Sequence, residues 1–301
     1  MRMAEWALAK GPYNRINPPE TNVYRNALDL MFNLRGIGWN FSKHVPVPEN
    51  PRRNTTPGSF MLWNFFKIIQ YEILLDALIY GVQLFGPDTI ATPGGGSIYD
   101  MTLPPIPRYA RSLFISYLFG YCMGTGVDAL YHIITLVAFC IPGAHRDPAL
   151  WPPLRGAPAS ATSLRTLWGR EWHQNFRRPF DVLGAQPGNY LFGRVGAVLG
   201  GFAISEVIHA FADWGFGKGL TFSGFFIMMA VGLILEHGWY KVTGHKVGGW
   251  IGWIWAMGWL LWWSQLYAED LIWKGMAGNE LIPQEYRPAK LFVEKVLYRF
   301  F

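Results

Sequence analysis

Charge is what this sequence has least of. Lys, Arg, Asp and Glu together make up 15% of its 301 residues, whereas a soluble domain carries about 25%. Cysteine is nearly absent. Cys122 and Cys140 lie in one apolar stretch, which excludes a disulfide framework and any metal-ligand spacing built on thiols. A glycine run stands at Gly94-Gly95-Gly96, but no Gly-Lys-Ser/Thr follows it, so a phosphate-cradling loop is excluded. Residues 1–20 lack an apolar core and contain Pro12, Pro18 and Pro19. No cleavable leader is expected there, and targeting falls to a later helix. The seven histidines, at 44, 132, 145, 173, 209, 237 and 245, are dispersed. That spacing argues against a His-rich diiron enzyme, and Glu206-x-x-His209 alone is half of such a site.

What is present is apolar and aromatic: 51% hydrophobic residues and 17% aromatic. The mean hydropathy of only +0.13 hides this, because polar stretches dilute it. Runs of 20 or more mostly apolar residues recur. At 1.5 Å per residue each is long enough for a hydrocarbon core of about 30 Å. The expected fold is therefore all-α, a multi-pass transmembrane helical bundle forming one membrane domain over 1–301. Five spans are expected at 63–86, 112–141, 190–213, 219–238 and 249–267. The second is either one tilted helix or one broken near Gly120, Gly124 and Gly126. Residues 22–41 mix Leu28, Leu30, Met31 and Phe32 with Arg25, Asp29 and Arg35, the pattern of an interfacial amphipathic helix. Segment 286–301 is similar, and 43–58 and 92–107 read as loops.

The net charge of +6 is carried by residues flanking the apolar runs, which suits topology and lipid headgroups and not nucleic acid. Six arginines (146, 155, 165, 170, 177 and 178) fall within 143–189. If that stretch is cytosolic, alternation brings Lys241, His245, Lys246, Lys43, Arg52 and Arg53 to the same side. The tail after 268 falls opposite.

Two histidines are singled out. His209 sits in Leu199-Gly-Gly-Phe-Ala-Ile-Ser-Glu-Val-Ile-His-Ala-Phe211. An ionisable group at bilayer depth costs several kcal/mol and faces a partner or a wet cavity. Glu206, three residues earlier on one helical face, is placed to fix the imidazole tautomer. His173 stands in Ser163-Leu-Arg-Thr-Leu-Trp-Gly-Arg-Glu-Trp-His-Gln-Asn-Phe-Arg-Arg178. Alone, that string reads equally as an interfacial segment with tryptophan anchors. Asp128 and His132, four apart, are a possible pair. Glu72 and Asp76 line a cavity or meet polar groups across the bundle, and Glu236 and His237 lie at a span's end near solvent. The tryptophans of 250–263 surround their helix, which suits an interface belt.

The string Ser-Leu-Arg-x-x-Trp-Gly-Arg-x-Trp-His-Gln, followed 36 residues after its histidine by His209 in an apolar segment, resembles the wax synthase-like branch of the membrane-bound O-acyltransferases. Residues 150–240 carry the resemblance, as a catalytic core similar to that of fungal enzymes that acetylate terpenoid or polyketide-derived products. Members of that branch carry more spans ahead of the motif than are read here. The resemblance implies a central tunnel, an endoplasmic reticulum membrane location, and acyl transfer from acyl-CoA, preferably acetyl-CoA, to a hydrophobic alcohol. No permanent cofactor or metal is implied. Within it His209 is the general base and His173 the hydrogen-bond partner of the reacting carbonyl or acceptor. Trp172, Glu206 and Gln174 support them, and Arg165, Trp168, Arg170, Arg177 and Arg178 meet coenzyme A. Long-chain acyl transfer to a fatty alcohol or sterol is the alternative chemistry. A transporter, which would show repeated halves, or a scaffold is the non-enzymatic one.

Overall fold

A computed structural model describes residues 2–8, 11–42, 45–141, 146–279 and 282–295. Lys43, His44 and His145 lie outside the described residues, as do 296–301 at the chain's end. Among the described residues regular structure is helical, apart from one isolated antiparallel bridge between Arg15 and Trp39. The principal helices are α1 (Val23–Phe32), α2 (Pro57–Gln83), α3 (Pro105–Cys140), α4 (Gln186–Asp213), α5 (Phe225–Thr243), α6 (Gly249–Trp273) and α7 (Pro288–Lys295). The five expected spans fall on α2 to α6.

Among the described residues three helical stretches suffice by length and composition to cross a membrane: Pro105–Cys140, Arg177–Phe216 (which contains α4) and Phe225–Thr243. The other two helices, α2 and α6, are 27 and 25 residues long. Helix α2 carries Lys67, Glu72 and Asp76, and α6 is rich in tryptophan, whose indole is less apolar than an aliphatic side chain. Even so, α2 exposes Leu62, Phe65, Phe66, Ile69 and Ile73, a stripe at helical spacing. Contiguous apolar surface of that kind is costly in water and favoured in lipid. Asn64 and Asp76 of the same helix are buried.

Of the two forms expected for the second span the single helix is found, while the ends of other elements differ from expectation for identifiable reasons. Helix α3 runs unbroken through Gly120, Gly124 and Gly126, since isolated glycines cost a helix only about 1 kcal/mol each. Helix α5 begins at 225, not 219, because Gly217, Gly219 and Gly224 adopt positive φ, which a helix cannot continue through. Helix α1 stops at Phe32, and Gly36 and Gly38 at positive φ follow. Its apolar Val23, Tyr24, Leu28 and Phe32 are exposed, while Asp29 accepts from Trp39 Nε1 at 2.6 Å and pairs with Arg15 at 3.3 Å.

The chain forms two compact units, Met1–Phe60 with Val137–Val207 and Phe226–Trp259, and Met61–Leu136 with Ile208–Phe225 and Leu260–Phe301. The first unit contains a helical hairpin that the hydropathy pattern hid. Helix α4 breaks at Phe192 (φ −135°, ψ 19°) and Gly193 (φ 61°, ψ −150°), the latter a conformation that only glycine holds cheaply. The chain folds back so that Gly184 meets Gly200 and Gly188 meets Gly196. A Cβ on Gly184 would sit 2.2 Å from the Gly200 carbonyl, and one on Gly188 2.0 Å from that of Gly196. Two Gly-x-x-x-Gly repeats thus press backbone against backbone, the close approach that small residues permit in membranes. The expected span 190–213 therefore starts at Arg194, and 20 residues from there cover about 30 Å.

In the second unit Val82, Ile90, Ile98, Ile115, Phe119, Leu271 and Ile272 form the core. The connection carrying the three glycines contributes Ile90 and Ile98 to it, so this is a built-in segment. Gly95 lies so close to the end of α6 that a Cβ would come 2.2 Å from the Trp273 carbonyl. Arg287 joins Asp76 at 2.7 Å and Gln83 at 2.6 Å, and Asp76 also accepts from the Ala289 N–H at 2.8 Å. Asp76 thus meets polar groups within the bundle and caps α7.

Candidate functional site

In the first unit the motif segment opens with Ser163, whose Oγ accepts the Thr166 N–H at 3.0 Å and caps a single helical turn, Leu164–Thr166. Beneath that cap stands Glu236 of α5. Its carboxylate accepts from the Leu164 N–H at 2.6 Å, the Arg165 N–H at 3.1 Å and Trp255 Nε1 at 3.0 Å. A buried carboxylate with three donors is satisfied, and losing any of them costs more than an exposed pair would. The expectation of a solvated Glu236 is overturned: it is 8% exposed. Its anchoring role lay beyond sequence reasoning, since 71 residues separate it from Arg165.

After this turn comes one π-turn, Leu167–Glu171, closed by the Trp172 N–H on the Leu167 carbonyl at 2.8 Å. Single π-turns recur at functional sites because they re-aim the following side chains. Here those are Trp172, His173 and Gln174. Gln174 is buried and braces the turn: its amide donates to the Trp168 and Trp172 carbonyls at 3.1 and 2.8 Å and accepts from Arg177 at 2.9 Å. Trp168 packs edge-on against Trp172 (6.0 Å between rings) and Phe202 (5.8 Å). The His173 ring, half-buried, contacts Trp172 at 5.3 Å and Phe176 at 6.0 Å.

The expected phosphate-binding arginines divide into two groups. Arg165, Arg170 and Arg177 are exposed, and Arg177 also donates to the Gly169 carbonyl at 3.1 Å. Arg178 points elsewhere: it pairs with Glu5 at 2.6 Å, donates to the Tyr13 hydroxyl at 2.9 Å and lies over the Phe41 ring at 4.6 Å. Its guanidinium ties the N-terminal segment to the motif. Arg155, unremarked beyond its charge, sits 5.8 Å over the Trp172 ring. Glu206 accepts from the Phe226 N–H at 3.1 Å, which makes it a cap for the first turn of α5. Beside it a groove of about 310 Å³ is lined entirely by Gly188, Phe192, Gly196, Leu199, Gly200, Ala203 and Ile227.

His209 belongs to the second unit. Its half-buried ring meets Tyr267 of α6 edge-on at 5.9 Å, and Tyr267 stacks on Phe225 at 5.9 Å. The Tyr267 hydroxyl lies 3.5 Å from Asp213, one helical turn beyond His209. Both residues were missed in the sequence; the i, i+4 spacing of His209 and Asp213 was the available signal. In the same unit His132 pairs with Asn64 at 2.7 Å, stacked on Tyr71 at 5.5 Å. Asn64 is thus a partner of His132 that lies far from it in the sequence. Among the described residues no three His, Cys, Asp or Glu side chains are grouped as a metal site.

Residues 151–230 match the Membrane bound O-acyl transferase family. The matched region spans the motif turn, the glycine hairpin and His209. Among known proteins the chain is similar to "Acetyltransferase aurG" of Calcarisporium arbuscula, 29% identical over 40% of this chain and 34% of the relative. It is also similar to "Acetyltransferase eriL" of Hericium erinaceus, 26% identical over 84% of this chain and 68% of the relative. A third is "O-Mevalon transferase yanI" of Aspergillus niger, 25% identical over 78% and 59%. The chain thus spans about a third of the first of these and up to about two thirds of the others. The chain is similar to fungal acetyltransferases over part of their length, and its long apolar helices accord with a membrane protein.

Proposed function

We propose that this protein is an acyl-CoA-dependent O-acyltransferase of the endoplasmic reticulum membrane. It moves an acetyl group from acetyl-CoA to a hydroxyl of a hydrophobic terpenoid or meroterpenoid-type alcohol in secondary metabolism. The observation that carries the reading is the Ser163–Gln174 motif within a segment matching an O-acyltransferase family. His209 takes the hydroxyl proton as the alcohol oxygen attacks the thioester carbonyl; the C–S bond breaks, and the proton passes to the departing thiolate. A positioned base of this kind contributes roughly 10²–10⁴-fold. His173 donates to the carbonyl oxygen as it gains charge. Exposed Arg165, Arg170 and Arg177 suit the phosphates of coenzyme A, because guanidinium forks bind phosphate bidentately. The apolar groove beside Glu206 supports a hydrophobic acceptor.

The relative named for O-mevalon transfer favours one further reading, in which the transferred group is not acetyl. Purified protein in detergent, supplied with acetyl-CoA or palmitoyl-CoA and a panel of terpenoid, sterol and fatty alcohols, decides between them. Alcohol-dependent release of coenzyme A with acetyl-CoA, together with an acetyl ester seen by mass spectrometry, is the expected result. Turnover with palmitoyl-CoA alone would replace it with wax-type chemistry.

A further inference from the structure

The motif turn is gripped at its start by α5 and α6, with close contacts at Thr162, Leu164 and Arg165. Gly252 of α6 lies so close to the Thr162 carbonyl that a Cβ would come within 2.3 Å of it. Gly232 of α5 leaves room for Leu164, whose Cδ1 would stand 2.4 Å from a Cβ there. One turn along α5, Glu236 takes the Leu164 and Arg165 N–H groups, and Trp255 Nε1 holds the same carboxylate oxygen as Leu164. Arg165 is thereby fixed at its backbone while its side chain is exposed. That combination leaves the guanidinium a defined origin from which to reach a ligand, and it restricts the entropy lost when it does so.

We propose that Glu236 is a positioning residue for acyl-CoA: through the Leu164 and Arg165 amides it aims Arg165 at a phosphate of the donor. The inference rests on the O-acyltransferase reading. A neutral Gln keeps an acceptor for Leu164 and Trp255 but turns an NH₂ donor toward the Arg165 N–H, so it cannot reproduce all three bonds. Truncation to Ala removes them all.

The test is steady-state kinetics of the wild type, E236Q, E236A and R165A in detergent, with folding of each checked by gel filtration and circular dichroism. E236A is expected to raise KM for acyl-CoA about tenfold or more, as the loss of a charged hydrogen bond predicts, with kcat changed less than about threefold. E236Q is expected to fall between E236A and wild type. Combining E236A with R165A is expected to add little to either alone, because both act on one contact. A folded E236A or E236Q enzyme with wild-type KM, or one that loses kcat alone, would overturn the proposal. If E236A fails to fold, E236Q decides by itself. A folded wild type that neither turns over nor binds coenzyme A in calorimetry would instead remove the transferase reading, and this inference with it.

Discussion

His173 and Gln174 stand next to each other in the chain but do different jobs. Gln174 is buried with three hydrogen bonds inside its own loop, whereas His173 offers a half-buried ring among aromatic neighbours. Substituting Gln174 with Ala leaves two carbonyls without a donor, at about 1–3 kcal/mol each if they stay dry. Q174A is expected to lower the melting temperature and activity together. H173A is expected to cut kcat by about 10²-fold with little change in melting temperature, the signature of a lost transition-state hydrogen bond. Thermal unfolding followed by tryptophan fluorescence, beside initial rates, separates the two. His209 stood out in the sequence because an imidazole among apolar residues is conspicuous, and His173 only through the motif's resemblance to a known family. Glu236, Asp213 and Tyr267 were not, since their partners are brought near only by the fold.

Among the elements, the helices were the easiest to read and their ends the hardest. Each of the five long apolar runs became a helix, because length and apolarity suffice to demand one in a membrane. The hairpin at Phe192–Gly193 was missed for the opposite reason: hydropathy is blind to a reversal in which both arms are apolar. The signal was there as Gly184-x-x-x-Gly188 and Gly196-x-x-x-Gly200. Leucine at Gly196 cannot be accommodated, since even a Cβ there would lie 2.1 Å from the Gly188 carbonyl. G196L is expected to destabilise the hairpin by more than about 3 kcal/mol and to cause aggregation or degradation on expression. G120L, on a site with nothing within 4 Å of its Cβ, is expected to be tolerated. Yield of monodisperse protein from parallel preparations checks both.

For the molecule as a whole, the exposed stripe on α2 and the three stretches suited to crossing a bilayer require lipid or detergent for solubility. Alkaline carbonate is expected to leave the protein in the membrane pellet, and recovery in the supernatant would count against integral insertion. Composition made this legible from the start. The acceptor was not legible, because the shape of an apolar groove depends on how glycine, leucine and phenylalanine pack and not on which residues occur. Arg178 illustrates the same limit: its place in a basic string suggested phosphate, and the fold pairs it with Glu5.

In the proposed mechanism His209 is the base for transfer to an alcohol. The most direct test of that role is alcohol-dependent coenzyme A release from acetyl-CoA by the wild type and by H209A, each shown to be folded in detergent. A loss of at least about 10²-fold in kcat for H209A, with acyl-CoA binding retained, is the predicted result. Near-normal turnover by the folded H209A protein would rule out His209 as the base.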